Sequence, residues 1–171
     1  DSAKWYWDGW HVCEERTAGG DALTQSFVYG VHVDELIERN DGTERWFHYG
    51  NAQNSVYVVR KVSDGSATYY SYDPWGKPLR WSGSAWAEIT AGEGNGTRHF
   101  FQGHEYYPQV KSHYFRLRWY QHETGRFLTR DPAGDWFTAM NRGNGYEFPG
   151  ANPRRWLDPL GNDLWDWTID K

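Results

Sequence analysis

Residues 55–72 read SVYVVRKVSDGSATYYSY. Val, Tyr and Thr dominate on both sides of Ser63-Asp64-Gly65-Ser66, and such residues suit a pleated, half-buried surface. The pattern predicts two strands, 55–62 and 68–72, joined by a tight turn in which Asp bonds the backbone ahead and Gly takes a left-handed conformation. The same text recurs outward along the chain. Toward the N-terminus, Trp5-Tyr6-Trp7, Asp8-Gly9 and residues 10–16 predict a second hairpin, placed beside the first in one continuous sheet. Between them, residues 26–29 and 31–39 predict a strand pair about Gly30, although 34–39 also fit one helical turn, and 44–49 follow Asp41-Gly42 as a further strand.

Beyond residue 72 the strand 79–81 leads into a Gly-rich connection at 91–96, the most mobile segment expected of the chain. Strands are predicted at 98–101, 112–120 and 126–129, and one helical turn at 136–141. Aromatic strand, Asp-containing turn and strand recur at roughly 15 to 25 residues, the mark of a repeat architecture whose hairpins bury their faces only by stacking. The first and last units of such a stack leave open strand edges.

Composition agrees. Of 171 residues, 12 are Trp, 12 Tyr and 19 Gly, so the surface to be buried consists mostly of flat rings separated by frequent turns. A net charge of −5 lacks the basic footprint that a phosphate backbone requires, and nucleic acid is not an expected partner. Cys13 is the single cysteine, which excludes an internal disulfide. No apolar stretch approaches the roughly 20 residues of a membrane span. Seven His are present, but none stands in a metal-binding spacing, and neither metal nor other cofactor is expected. Because the chain opens at Asp1 without Met, a processed product, a fragment or the ordered part of something longer is expected.

One short motif occurs three times: Asp73-Pro74-Trp75-Gly76, Asp131-Pro132-Ala133-Gly134 and Asp158-Pro159-Leu160-Gly161. Asp, then Pro with its fixed φ, then Gly describe a reverse turn, and that reading suffices for Asp73.

Tyr72-Asp73-Pro74-Trp75-Gly76-Lys77, Phe101-Gln102-Gly103-His104-Glu105-Tyr106, Gly125-Arg126-Phe127-Leu128-Thr129-Arg130-Asp131-Pro132, and the stretch from Gly150-Ala151-Asn152-Pro153 to Asp158-Pro159-Leu160-Gly161 together give the chain its resemblance. In order and spacing they resemble the core-domain signature of bacterial Rhs proteins with tyrosine-aspartate (YD) repeats. The resemblance implies an all-β fold: stacked β-hairpins spiralling into a shell and ending in a short irregular core or plug segment. It divides the chain into YD-type repeats at 1–97, an Rhs-like core at 98–162 and a tail at 163–171.

It also implies a function. Such shells enclose a toxic polypeptide, and the core can act as an aspartyl protease that cuts its own chain after Asp-Pro-x-Gly-Leu. Carried onto this sequence, Asp131 and Asp158 form the carboxylate pair, Arg130 supports them and Asn162 stands at the cleavage position, where the family has Leu. Gln121 likewise replaces the Asp of an Arg-Tyr-Tyr-Asp motif, and Tyr107-Pro108-Gln109-Val110 replaces an Asp-containing turn. The implied partners are other segments or subunits of a larger β-shell and a toxin-like cargo polypeptide, in a secreted or cell-surface bacterial setting. A rival reading rests on the residues alone. Trp5, Trp7, Trp10, Trp46, Trp75, Trp81, Trp86, Trp119 and Trp136 could serve an extracellular carbohydrate-binding or adhesive module, with glycans as partners, and Trp165 and Trp167 could anchor the tail in a groove. A row of Trp on one solvent face favours binding, whereas a concave interior lined with charge favours a shell.

Overall fold

A computed structural model describes residues 3–90, 97–134 and 143–162; the expectations for 91–96, 136–141 and 163–171 lie outside the described residues. The chain is all-β. Nine antiparallel strands follow one another in a single sheet whose strand order is the chain order: β1 (Ala3–Asp8), β2 (His11–Thr17), β3 (Leu23–Tyr29), β4 (Leu36–Asn40), β5 (Arg45–Gly50), β6 (Val56–Lys61), β7 (Ala67–Tyr72), β8 (Pro78–Trp81) and β9 (Trp86–Glu88). A second, four-stranded antiparallel sheet holds β10 (Glu105–Tyr107), β11 (Ser112–Phe115), β12 (Arg118–Gln121) and β13 (Arg126–Phe127). Short 3₁₀ turns at Phe101–Gly103 and Pro149–Ala151 flank it. No helix among the described residues is long and apolar enough to cross a membrane.

The 63–66 turn forms as its residues dictate. Asp64 Oδ1 accepts from the Ser66 N–H at 2.8 Å, and Gly65 sits at φ 71°. The hairpins about Asp8-Gly9 and Gly65 do share one sheet, but β3, β4 and β5 lie between them. Three expected strands are reshaped. Residues 31–35 form a loop with Asp34 at φ 64°, so the strand begins only at Leu36 and residues 34–39 make no helical turn. Residues 98–101 supply a single bridge, His99 to Glu105, before the 3₁₀ turn. The stretch 112–120 is a tight hairpin broken at Arg116, whose φ is 58°. Strands β9 and β10, three residues each, are too short for their periodicity to register.

Rings make the core. One buried cluster joins Trp46, Val56, Val59 and Tyr70 of the long sheet to Ile89, Phe100 and Tyr106, and a second holds Phe101, Phe115, Tyr120, Phe127 and Phe148. Tyr72 packs against both, so the apolar interior runs from one sheet into the other. The rings meet mainly edge to face, Tyr70 on Phe100 at 5.1 Å and Phe115 on Phe127 at 5.5 Å, the arrangement their quadrupoles favour. Charge is buried on the same inner side, where the Arg39 guanidinium lies 3.9 Å over the Trp46 ring.

Candidate functional site

The three Asp-Pro-x-Gly segments all fold as turns, closed by the Gly N–H donating to the Asp carbonyl: Gly76 to Asp73 at 3.1 Å, Gly134 to Asp131 at 3.1 Å and Gly161 to Asp158 at 3.4 Å. Their carboxylates are used differently. Asp73 Oδ1 accepts from the Trp75 and Lys77 N–H groups, both at 2.8 Å, and Asp131 Oδ1 accepts from the Ala133 N–H at 2.8 Å. Asp158 is completely buried, and its Oδ2 faces a guanidinium.

That guanidinium belongs to Arg118, at the start of β12 and only 2 % exposed. Its Nη2 stands 2.9 Å from Asp158 Oδ2 and 3.0 Å from Asp131 Oδ2. The two carboxylates therefore share one nitrogen and lie within about 6 Å of each other, the range over which charges perturb one another. Arg118 is fixed from its other sides by the Phe127 ring, 3.6 Å beneath its guanidinium carbon, and by Nη1 donating to the Gly145 carbonyl at 3.3 Å. Arg130 is exposed. Asn162 is half-buried, and its Oδ1 is buried with no hydrogen-bond partner among the described residues.

The segment leading to Asn162 lies on the β11–β12 turn. Leu117 N–H is shared between the Phe115 carbonyl at 2.7 Å and the Leu160 carbonyl at 3.2 Å, and the Arg116 guanidinium reaches the Pro159 carbonyl. Gly161, at φ 75°, packs so closely that a Cβ there would overlap the Phe115 carbonyl oxygen and stand 3.2 Å from Arg118 N. Since the neighbour is backbone, it cannot turn aside. Gly161→Ala is accordingly expected to destabilise the chain by about 1–3 kcal/mol, from left-handed strain and the overlap together, read as a fall in melting temperature; an unchanged melt would contradict this packing.

Arg116 also pairs with Asp34 of the β3–β4 loop, its Nη1 donating to Oδ2 at 2.9 Å and its Nη2 to Oδ1. Burial pushes the Asp34 carboxyl up, but His104, Arg116 and His11 outweigh it and hold the carboxyl below its usual range. His104 lies 3.9 Å from Asp34 and over the Phe115 ring at 3.7 Å, and burial pushes its imidazole down to about 4. Among the described residues no group of His, Cys, Asp and Glu is arranged to hold a metal ion.

Asp34, His104 and Arg116 also line a cleft at the N-terminal edge of the long sheet. Trp5, Trp7 and Trp10, each more than half exposed, line it together with Arg98, Glu105 and Glu15, the last being the cross-strand partner of Trp5. Arg98 bridges the two carboxylates, contacting Glu15 directly and Glu105 at 3.5 Å. Trp46 is core; Trp75, Trp81 and Trp86 are partly exposed; Trp136, Trp165 and Trp167 lie outside the described residues.

No family model matches the chain. It is 28 % identical over 154 residues to the tRNA3(Ser)-specific nuclease WapA of Bacillus spizizenii and 26 % over 163 residues to the tRNA nuclease WapA of Bacillus subtilis strain 168. These alignments cover 90 % and 95 % of the chain but 6 % of either relative, so the chain spans a small part of the proteins it matches. Among solved structures, the crystal structure of TcdB2-TccC3-Cdc42 matches 81 % of the chain with a TM-score of 0.61 at 23 % identity. The structure of the Photorhabdus luminescens Tc holotoxin pore matches 92 % with a TM-score of 0.60 at 21 %. These matches cover 6 % and 8 % of the respective chains, and at such identities they establish the shared fold.

Proposed function

We propose that this chain is a structural part of an Rhs-like β-shell: YD-type hairpins over 1–97, a core over 98–162 and a tail over 163–171, enclosing or capping a toxin-like cargo polypeptide and cutting itself after Asn162. The observation that carries the reading is the shared Arg118, which brings Asp131 and Asp158 together beside the segment that ends at Asn162. The similarity to WapA nucleases and to the toxin assemblies supports a toxin-related role in a secreted or cell-surface setting. The nuclease activity named for WapA is not carried over, because the match covers 6 % of that protein and the chain's net charge is −5.

The chemistry needs one carboxylate and one carboxylic acid. The pair holds one proton between its members: the ionised carboxylate takes a proton from water, which can reach the pair at Asp131, 15 % of whose side chain is exposed, and the protonated member gives its proton to the Asn162 carbonyl oxygen. Water adds to the carbonyl carbon; the C–N bond to residue 163 then breaks, the leaving amine takes the proton the pair gained from water, and a hydroxyl of the tetrahedral adduct returns its proton to the pair as the carboxyl C=O forms. Arg130, adjacent to the dyad in sequence, supports it from the exposed side.

All six residues of β1 are exposed, and an edge of unpaired backbone groups is a template for another strand. We read it as the joint with a further segment or subunit of the shell.

Incubation of the purified chain, followed by intact mass measurement, is expected to yield one fragment ending at Asn162 and one covering 163–171. Asn162→Leu should speed the cut, and Asp158→Asn should abolish it. A chain that stays intact both as it stands and as the Leu variant defeats the protease reading.

The second reading, glycan binding, is favoured by the Trp5, Trp7 and Trp10 wall beside charged Glu15, Arg98 and Glu105. Tryptophan fluorescence titrated with oligosaccharides decides it.

A further inference from the structure

We infer that Asp34 and Arg116 are positioning residues for the self-cleaved segment, so that the cut is licensed only when the long hairpin sheet is docked on the core. The inference rests on the protease reading above and concerns residues that the Rhs resemblance does not assign.

Arg116 occupies the two-residue bend between β11 and β12 in a left-handed conformation, which a side chain with a Cβ adopts only when its surroundings impose it. Its guanidinium is used on every side. Nη1 donates to the Pro159 carbonyl and to Asp34 Oδ2; Nη2 donates to Asp34 Oδ1 and, at 3.3 Å, to the Trp10 carbonyl, which Nε also approaches at 3.4 Å. Trp10 and Asp34 both come from the long sheet, whereas Pro159 precedes the cleavage position by three residues.

Asp34 forms its ion pairs with Arg116, His104 and His11 rather than with residues 158–162. It acts through the orientation of Arg116, and is itself locked by its N–H donating to His11 Nε2 at 3.1 Å and by Gly103, where a Cβ would overlap the Asp34 carbonyl. A buried ion pair is a poor source of net stability, since an apolar pair of similar volume does as well or better. What an apolar pair cannot do is present a planar fork to a backbone carbonyl. With Leu117 N–H on the Leu160 carbonyl, two successive carbonyls of the segment are held, one by the core alone and one through the sheet. Loss of the sheet's contribution lets the Asn162 carbonyl drift from the carboxylate pair, and a misplacement of about 1 Å costs on the order of 100-fold in rate.

The test uses the full chain with Arg116→Lys, Asp34→Asn and, as a control, Val59→Ala, which removes core volume from β6 away from the relay. Two readouts are taken: the cleavage rate by intact mass, and hydrogen exchange at the Leu117 amide. Lysine keeps a charge for Asp34 but lacks the fork. Arg116→Lys and Asp34→Asn are expected to slow cleavage by about 10- to 100-fold and to lower Leu117 protection by about tenfold or more. Val59→Ala should melt earlier yet cleave within about twofold of the parent rate, which separates positioning from stability. Cleavage at the parent rate in both relay variants overturns the inference. If the parent chain never cleaves, the protease reading falls by itself. The inference then stands or falls on Leu117: unchanged protection in Asp34→Asn overturns it, and a selective loss upholds the relay.

Discussion

Replacing Arg118 with Met is expected to cost about 3–5 kcal/mol of folding free energy, the usual penalty for removing one partner of a buried ionic group. Methionine fills much of the volume and can keep contact with the Phe127 ring, so packing is largely spared. The loss is electrostatic: Asp158, with no solvent exposure, loses the cation facing it, while Asp131 still lies within about 6 Å. Chemical denaturation reads the effect. Asp158→Asn in the same background should return part of it, because the neutral amide no longer needs a cation, and purely additive losses would mean that Arg118 and Asp158 are not coupled.

A larger change is expected on acidification. Burial pushes His48 and His113 down to about 3 and His104 to about 4, from an ordinary value of 6.5. In the unfolded chain these imidazoles take their protons near pH 6.5; in the folded chain they stay neutral until far lower. Between those limits the unfolded state binds more protons, so stability is complete above about pH 6.5 and declines as pH falls toward 4. Each histidine lowers the folding equilibrium by about tenfold per pH unit, and three together by about a thousandfold. A typical folding equilibrium of about 10³–10⁸ is exhausted within one to three such units. The chain is therefore expected to unfold cooperatively between about pH 6 and 4, before loss of the Asp34 charge contributes. Tryptophan fluorescence and circular dichroism against pH measure this, and a denaturation midpoint that is constant from pH 7 to 5 would refute it.

The long sheet could be read from sequence because its signals are local. Val, Tyr and Trp alternate at period two, and Asp8-Gly9, Asp41-Gly42 and Asp64-Gly65 mark the reversals. The break at Arg116 carries no such mark. The sequence Phe115-Arg116-Leu117-Arg118 contains no Gly, Pro, Asn or Asp, and the left-handed bend there is imposed by partners far along the chain. The strand at Glu105–Tyr107 was hidden by its length.

The same distinction governs the candidate site. Asp131 and Asp158 could be singled out by their repeated motif, but what joins them could not. An Arg on a strand ordinarily reads as solvent-facing, so Arg118 gave no hint of standing at 2 % exposure between two carboxylates. Arg130 drew attention by adjacency in sequence, whereas the cation in contact with both carboxylates comes from a neighbouring strand. Asp34 fits a strand or a helical turn in the sequence; only the fold carries it to Arg116.

Strand order in the long sheet is chain order, without a crossover from β1 to β9. Each strand thus needs only its immediate predecessor as a template, and the wall can be laid down from its N-terminal end as the polypeptide emerges from the ribosome. The Asp158 turn is made after these strands and docks on surfaces that earlier residues have already built. Its arrival works as a clock: a chain that can hold Pro159 in place has, by then, finished the strands that come before it.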